Sequence, residues 1–159
     1  IRILHIDVVH ISWIFTGIGI MGILAQGFIF PQVSKRFNLR KVYIFALVML
    51  SLVFLTLSFS NSYTFFLTVL LLMALVNSFV GPLSQTFLSQ SADNKSQGSI
   101  QGIGSTFTSL GQILGPIIGG FVSSYALRYS FVVASLLIFV CIYFAVKLLK
   151  VHFVKESAF

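Results

Sequence analysis

Charged side chains are scarce in this chain of 159 residues: they form 8% of it, and only three of them are acidic. A soluble domain carries roughly 25% charged residues, which keep its surface hydrated. The ten basic and three acidic side chains cannot cover a globule of this size, so the composition argues against a water-soluble enzyme. The net charge of +7 does not indicate nucleic-acid binding either, because the basic residues lie in clumps between apolar runs rather than on one soluble face.

Cysteine and paired titratable residues are also lacking. The single cysteine, Cys141, lies inside an apolar run, cannot form a disulfide within the chain, and is interpreted as a packing residue. The acidic residues Asp7, Asp93 and Glu156 all lie outside the long apolar runs. Because no run holds two titratable catalytic groups, we predict no catalytic residues, no metal ligands and no cofactor.

Five long apolar runs dominate the sequence instead. A helix needs about 20 apolar residues to cross a bilayer core of about 30 Å. The runs have about this length and cover residues 11–30, 42–60, 65–89, 100–123 and 129–147. Their connections, the longest at 31–41, leave no room for an extramembrane domain, and the runs lack the apolar-polar alternation of a membrane β-barrel. The sequence therefore predicts an all-α polytopic membrane protein with five transmembrane helices.

The basic residues predict how these helices are oriented. Eight of the ten fall on one side of the predicted membrane, whereas Arg2 and Arg128 fall on the other. The eight are Lys35, Arg36, Arg40, Lys41, Lys95, Lys147, Lys150 and Lys155. The positive-inside rule then places the first and third connections and the C-terminus in the cytoplasm, and the N-terminal end of the chain outside. We predict a multi-pass protein of the inner (plasma) membrane, with further helices upstream because the outside N-terminus has no signal-peptide pattern.

Small and amide side chains follow one face of three spans, whereas the second and fifth spans carry only scattered hydroxyls such as Ser51 and Ser135. Because an amide that faces lipid is costly, we expect the three polar faces to line a water-filled cavity or to face protein. The candidate cavity residues are Thr16, Gln26, Asn77, Ser78, Gln85, Gln101, Ser105, Thr108 and Gln112. The alternative is that such stripes only allow helices to pack closely.

Glycine and proline mark where helices could pack or bend. Gly-Ile-Gly occurs at 17–19 and again at 102–104, three spans later, which is compatible with an inverted repeat of three helices. Proline inside a helix removes a backbone hydrogen bond and permits a bend. The candidate packing and bending residues are Gly19, Gly22, Gly81, Pro82, Gly115, Pro116 and Gly119.

Two motifs resemble a known family. Gln26-Gly27, Pro31 and the run 35–41 resemble the loop between helices eight and nine of the major facilitator superfamily. The run 97–102 with Ser109, Leu114-Gly115-Pro116 and Gly119-Gly120 resembles its eleventh helix. Within that superfamily the chain is most similar to the tetracycline-resistance and multidrug type of proton antiporter. The resemblance covers nearly the whole chain and implies that the five spans are helices eight to twelve of a protein whose N-terminal half is missing.

The loop motif departs from the family pattern Gly-x-x-x-Asp-Arg-x-Gly-Arg-Arg. Lys35 stands at the aspartate position, and Asn38 stands at a glycine position, where we expect that it can adopt a left-handed turn. The motif residues Lys35, Arg36, Asn38, Arg40 and Lys41 are then either determinants of topology or part of a cytoplasmic gate.

The resemblance implies a carrier that rocks two six-helix bundles about a central site and exports small amphipathic compounds. Its partners would be membrane lipid, the small-molecule substrate and the missing N-terminal bundle, with no nucleic acid. Proton coupling needs a carboxylate inside the membrane, and none of the five spans has one. The alternatives are a carrier for sugars or other metabolites, and a helical membrane subunit or scaffold that does not transport.

Overall fold

The computed structural model describes residues 8–93 and 96–156, with side chains at position 9, in 12–93 and in 96–148. Arg2 and Lys95, two of the basic residues from which the orientation of the helices is predicted, lie outside the described residues. Seven helical segments account for nearly all of the described chain, and this part contains no strand. The segments are α1 (Val8–Leu24), a π-helical turn (Ala25–Ile29), α2 (Phe30–Arg36), α3 (Leu39–Ser58), α4 (Tyr63–Gln90), α5 (Gln97–Ser123) and α6 (Leu127–Glu156). The predicted all-α fold is confirmed.

Four stretches within these helices are long and apolar enough to cross a membrane: Ser12–Arg36, Leu39–Ser58, Tyr63–Gln90 and Leu127–Leu148. Helix α5 has 27 residues, which is also long enough, but its many Gly, Ser, Thr and Gln residues dilute its apolar side chains. The fourth predicted span, 100–123, therefore stays a prediction that rests on the sequence pattern.

The predicted first connection was wrong in extent, because the chain is helical as far as Arg36 and only Phe37 and Asn38 separate α2 from α3. Pro31 does not stop the helix, since it lies in the first turn of α2, where the N–H that it lacks would have no partner in the same helix. Lys35 and Arg36 occupy the last turn of α2, next to the negative end of the helix dipole. Arg40 and Lys41 already belong to α3.

Asn38 does not adopt the left-handed conformation expected of it. Its φ and ψ of −65° and 117° are extended, and its side-chain oxygen accepts a hydrogen bond of 3.0 Å from the backbone N–H of Arg40. Asparagine is one of the preferred residues at this position, because its side chain satisfies a donor that the first helical turn leaves open. Asn38 therefore starts α3 as its N-cap.

Helix α3 lies at the centre of the bundle, between α4 and α6, and α4 in turn packs against α1. The hydrophobic cluster is formed by Val53 and Leu57 of α3 with Val69 of α4. Phe66 of α4 and Phe131 of α6 cover this cluster, with their ring centroids 6.4 Å apart. The opposite face of α3 remains exposed and apolar, with Phe45, Leu52 and Leu55, and the exposed Phe59 follows directly after the helix.

Two buried serines join α3 to α6. The Ser51 hydroxyl donates to the carbonyl oxygen of Ser135 at 3.1 Å, and the Ser135 hydroxyl donates to the carbonyl oxygen of Ser51 at 2.9 Å. Small hydroxyl residues allow helices to approach closely within a membrane, and their hydrogen bonds add to the contact. These two scattered hydroxyl residues of the second and fifth predicted spans thus lie in the interface between those spans.

Helix α5 touches its neighbours only near its ends. At Gly104 an added Cβ would fall on a terminal methyl group of the Leu88 side chain of α4, so Leu88 would have to move to admit it. Near the other end, the Ser130 hydroxyl of α6 donates to the carbonyl oxygen of Gly119 at 3.1 Å. Between these two contacts, the side chains of α5 are exposed on all sides.

Candidate functional site

The predicted polar stripe of α4 divides into an exposed line and a packed edge. Asn77, Gly81 and Gln85 are exposed and follow one another at intervals of four residues, which places them along one face of the helix. Ser78 is buried, donates to the Ala74 carbonyl oxygen at 2.8 Å and lies at the contact with α1. The two amides are thus available to a ligand or a partner, whereas the placement of Ser78 favours the packing interpretation.

Helix α5 presents two faces of opposite character. Gln101, Ser105, Thr108 and Gln112 lie on one face at helical spacing, and all four are exposed. The other face carries the exposed apolar side chains Ile103, Phe107, Leu110, Leu114, Ile117 and Phe121. Neither face is covered by another described element.

The first span contributes Thr16 and Gln26, both exposed. The Thr16 hydroxyl donates to the carbonyl oxygen of Ser12 at 2.9 Å, as hydroxyls in helices commonly do. Gln26 lies within the π-helical turn, so its direction depends on the geometry of that turn. Its amide makes no hydrogen bond to another described residue, and the same holds for the amides of Asn77, Gln85, Gln101 and Gln112.

Of the predicted packing glycines, Gly22 is the one at which an added Cβ would lie near a neighbouring helix, 3.8 Å from the Ser78 hydroxyl oxygen. Around Gly19, Gly81, Gly115 and Gly119 nothing lies within 4 Å of such an atom. Helix α4 continues through Pro82 and α5 continues through Pro116 without interruption. The described structure therefore brings α1 and α4 together at Gly22, and the roles of the other glycines and of both prolines stay predictions.

One polar contact between helices could not be predicted from the sequence, which shows only that both residues carry a hydroxyl. The Tyr43 hydroxyl of α3 lies 3.0 Å from the Ser84 hydroxyl of α4, and the Tyr43 ring packs edge-on against Phe87 at 5.4 Å. Ser84 is the neighbour of Gln85, but this contact turns it toward α3. The exposed face of α4 is consequently narrower than its polar stripe.

The two ends of the bundle carry different polar groups. At one end, Lys35, Arg36 and Lys41 are exposed and Arg40 is half-buried. At the other end, the Arg128 guanidinium donates to the Asn61 side-chain oxygen at 2.6 Å, which ties the start of α6 to the connection between α3 and α4. Within the described residues, no three His, Cys, Asp or Glu side chains come together where they could hold a metal ion.

This helical architecture agrees with a comparison against protein families, in which residues 1–158 match the model of the Major Facilitator Superfamily. The chain belongs to the Major Facilitator Superfamily. The resemblance inferred from the loop and helix motifs is therefore confirmed, and the chain, with several helices long and apolar enough to cross a membrane, is a multi-pass membrane protein.

Two relatives within the superfamily carry drug-resistance names. The chain is 35% identical over 131 residues to multidrug resistance protein 1 of Bacillus subtilis, a match that covers 79% of the chain and 32% of that protein. It is 31% identical over 110 residues to quinolone resistance protein NorA of Staphylococcus aureus, covering 69% of the chain and 28% of NorA. The chain thus spans about a third of the length of these curated relatives. No solved structure matches the chain significantly.

Proposed function

We propose that this chain is the C-terminal part of a secondary active transporter that exports small amphipathic compounds by alternating access. The main support for the proposal comes from four exposed amides on α4 and α5 that have no hydrogen-bond partner among the described residues. They are Asn77, Gln85, Gln101 and Gln112. An amide left against hydrocarbon is costly, so these four side chains need water, substrate or another part of the protein. The drug-resistance names of the two relatives support a drug-like substrate.

In this proposal the polar faces of α1, α4 and α5 line the C-terminal side of a central cavity, and a second bundle of helices lines the other side. The apolar face of α5, with Phe107 and Ile117, then lies against lipid, and α5 crosses the membrane despite its many polar residues. Helix α6 and the outer face of α3 also lie against lipid. The exposed Lys35, Arg36 and Lys41 mark the cytoplasmic end, because basic residues are retained on that side of the membrane.

The proposed carrier is not an enzyme, and this chain contributes no proton-binding carboxylate to it. The acidic residues of the chain are Asp7, Asp93 and Glu156, of which Asp93 lies in the connection after α4 and Glu156 ends α6. If export is coupled to protons, the titrating carboxylate belongs to the other bundle.

A chimera tests the proposal. This chain replaces the segment with which it aligns in the Bacillus subtilis relative, and export of a fluorescent drug-like compound from inverted vesicles is measured against the unaltered relative. We expect the chimera to export the compound, and the relative without the segment to export none. A well-folded chimera without export would contradict the proposed function.

Single substitutions in the chimera then test the site. Each of Asn77, Gln85, Gln101 and Gln112 is replaced by Leu, and Thr106→Leu is the matched control because Thr106 is exposed on α5 away from its polar face. A hydrogen bond to the substrate contributes about 1 kcal/mol, so we expect at least one amide variant to lose about fivefold in export per folded molecule while the control loses nothing. If all four variants export normally, these residues do not line the cavity. If instead only the amount of folded protein falls, the scaffold alternative is favoured.

A further inference from the structure

Helices α3 and α6 run in opposite directions, and two contacts fix how they lie along each other. Near the middle of the pair, the Ser51 and Ser135 hydroxyl oxygens lie 3.1 Å apart. Toward one end, the Arg128 guanidinium at the start of α6 donates to the Asn61 side chain, just beyond the end of α3. The start of α3 therefore lies beside the C-terminal half of α6, at the opposite end of the bundle.

This register brings two lysines to the same level and to the same side of the helix pair. Lys41 lies ten residues before Ser51 on α3, and Lys147 lies twelve residues after Ser135 on α6. With a rise of about 1.5 Å per residue, both lie about 15–18 Å from the two serines, toward the same end. With a turn of about 100° per residue, Lys41 lies about 80° around α3 from Ser51, and Lys147 about 120° around α6 from Ser135. Both rotations have the same sense along their own chains, and in an antiparallel pair this places the two side chains on the same side.

An open groove runs along α6 and ends at Lys147. Its volume is about 510 Å³, and it is lined by Phe139, Ile142, Tyr143, Val146 and Lys147. Residues at this spacing form one stripe along about two turns of a helix. Phe139 and Tyr143 are exposed, whereas Ile142 and Val146 are half-buried and form the floor of the stripe. The groove is therefore apolar along its length and cationic at one end.

The two lysines lie where a membrane has its lipid headgroups. Both are exposed, and neither forms an ion pair with another described residue. Lys41 stands at one end of the exposed apolar face of α3, which continues with Phe45 and Leu52. A lysine at the end of a face that lies against lipid extends its ammonium group to the headgroups, and tyrosine, here Tyr143, is common at the same depth. The pair of helices thus presents two cations beside apolar walls that fit an acyl chain.

We propose that the groove of α6, together with Lys41 of α3, binds an anionic phospholipid of the leaflet at this end of the bundle. Its headgroup lies between the ammonium groups of Lys41 and Lys147. One acyl chain lies along Phe139, Ile142 and Val146. Charge complementarity favours an anionic over a zwitterionic lipid, because basic side chains at the membrane surface attract anionic headgroups. The inference requires that α3 and α6 face lipid, as proposed above, and it does not require transport.

The site is tested in the chimera, in phosphatidylcholine vesicles that contain a small share of a photoactivatable phospholipid. The photoactivatable group is in an acyl chain, the headgroup is either phosphatidylglycerol or phosphatidylcholine, and the labelled residues are located by mass spectrometry of peptides. We expect phosphatidylglycerol to label residues 139–147 at least tenfold more than phosphatidylcholine does, since two cations contribute to the preference. Equal labelling by both lipids would overturn the proposal. So would the absence of labelling by either, because the groove would then be covered by protein.

Charge substitutions separate a defined site from the general positive charge of this end. Lys41→Gln and Lys147→Gln should each lower the preference for phosphatidylglycerol by about fivefold, because each removes one cation near the headgroup. Lys35→Gln is the matched control, since Lys35 is exposed at the same end but lies on α2, whose first turn packs against α4. We expect the control to keep the preference of the parent. If Lys35→Gln lowers it as much as Lys147→Gln does, the attraction belongs to the whole end and the site is overturned.

A further substitution tests the acyl chain. Phe139→Ala removes one wall of the groove and should lower labelling by both lipids about equally, by about threefold, because the two lipids share the same acyl chain. Leu137→Ala is the matched control, since Leu137 is exposed on the side of α6 away from the groove. Unchanged labelling in Phe139→Ala would overturn the placement of the acyl chain. Labelling requires no substrate, so a chimera that exports nothing contradicts the proposed function, while the labelling still decides the lipid site.

Discussion

Helices α3 and α5, with 20 and 27 residues, are both long enough to cross a membrane but have opposite surroundings. Helix α3 has buried residues from Ala46 to its end, among them Leu47, Leu50 and Leu57, packed between α4 and α6. Helix α5 has no buried residue and touches α4 and α6 only near its ends. The difference follows the sequence, since α3 is apolar with small residues at its contacts, whereas α5 separates a polar face from an apolar one.

The difference indicates that α3 and α5 have different roles in the bundle, one in packing and the other in binding. A helix packed on two sides holds the others in place, and it leaves little surface for binding. A helix with an uncovered polar face keeps its side chains available to a substrate or to a second bundle, at the cost of contributing little to the stability of its own bundle. This difference between α3 and α5 is tested by measuring the free energy of unfolding of variants of the chimera in detergent micelles, by titration with sodium dodecyl sulfate.

The largest expected effect is at the centre of α3. Leu57 is 2% exposed and belongs to the hydrophobic cluster, so Leu57→Ala leaves a cavity and should lower the free energy of unfolding by about 2–5 kcal/mol. Ile117→Ala on α5 is the comparison. Because Ile117 is 62% exposed, its replacement should lower the free energy of unfolding by less than about 0.5 kcal/mol. An equal loss at both positions would mean that α5 is packed as tightly as α3 in the assembled protein.

The second effect concerns the approach of α5 to α4 at Gly104. An added Cβ at Gly104 would meet the terminal methyl group of the Leu88 side chain, which has to turn away, so Gly104→Ala should lower the free energy of unfolding by about 1 kcal/mol relative to an Ala substitution at an open glycine. Gly111→Ala is the matched control on the same helix, since nothing lies within 4 Å of its added Cβ. Gly111→Ala should leave the free energy of unfolding unchanged or raise it slightly, because alanine favours a helix over glycine by up to about 1 kcal/mol. If Gly104→Ala is as neutral as Gly111→Ala, the contact between α4 and α5 does not persist in the membrane.

The helical fold could be predicted from the sequence because a bilayer requires apolar runs of nearly fixed length, and these runs dominate the chain. The helix ends were less predictable. Pro31 and the basic residues after it are typical of a loop, yet Pro31 fits the first turn of α2 and the basic side chains fit its last turn. Such local compatibility allows the helix to continue, and nothing in the hydrophobic pattern reveals it.

The candidate site was predictable only as a set of helix faces. Asn77 and Ser78 are neighbours in the stripe, but they point about 100° apart, and the contact of α4 with α1 decides that Ser78 is buried and Asn77 is not. The π-helical turn had no signal in the sequence, because its extra residue is needed only when Ala25 and Phe30 must both face the bundle. Both features depend on tertiary contacts, which a single sequence does not contain.

The smallest expected effect is at the two buried serines, where hydrogen bonding can be separated from packing at the contact between α3 and α6. Ser51 and Ser135 exchange hydrogen bonds with each other's backbone, and their hydroxyl oxygens lie 3.1 Å apart. Hydrogen bonds between membrane helices contribute about 0.6 kcal/mol on average, because the separated helices find other partners. Ser51→Ala and Ser135→Ala should therefore each cost about this much, and the double variant should cost less than the sum of the two. Thr56→Ala is the control, since the Thr56 hydroxyl bonds only within α3. Strict additivity in the cycle would show that the two hydroxyls do not interact, and that close packing alone joins α3 to α6.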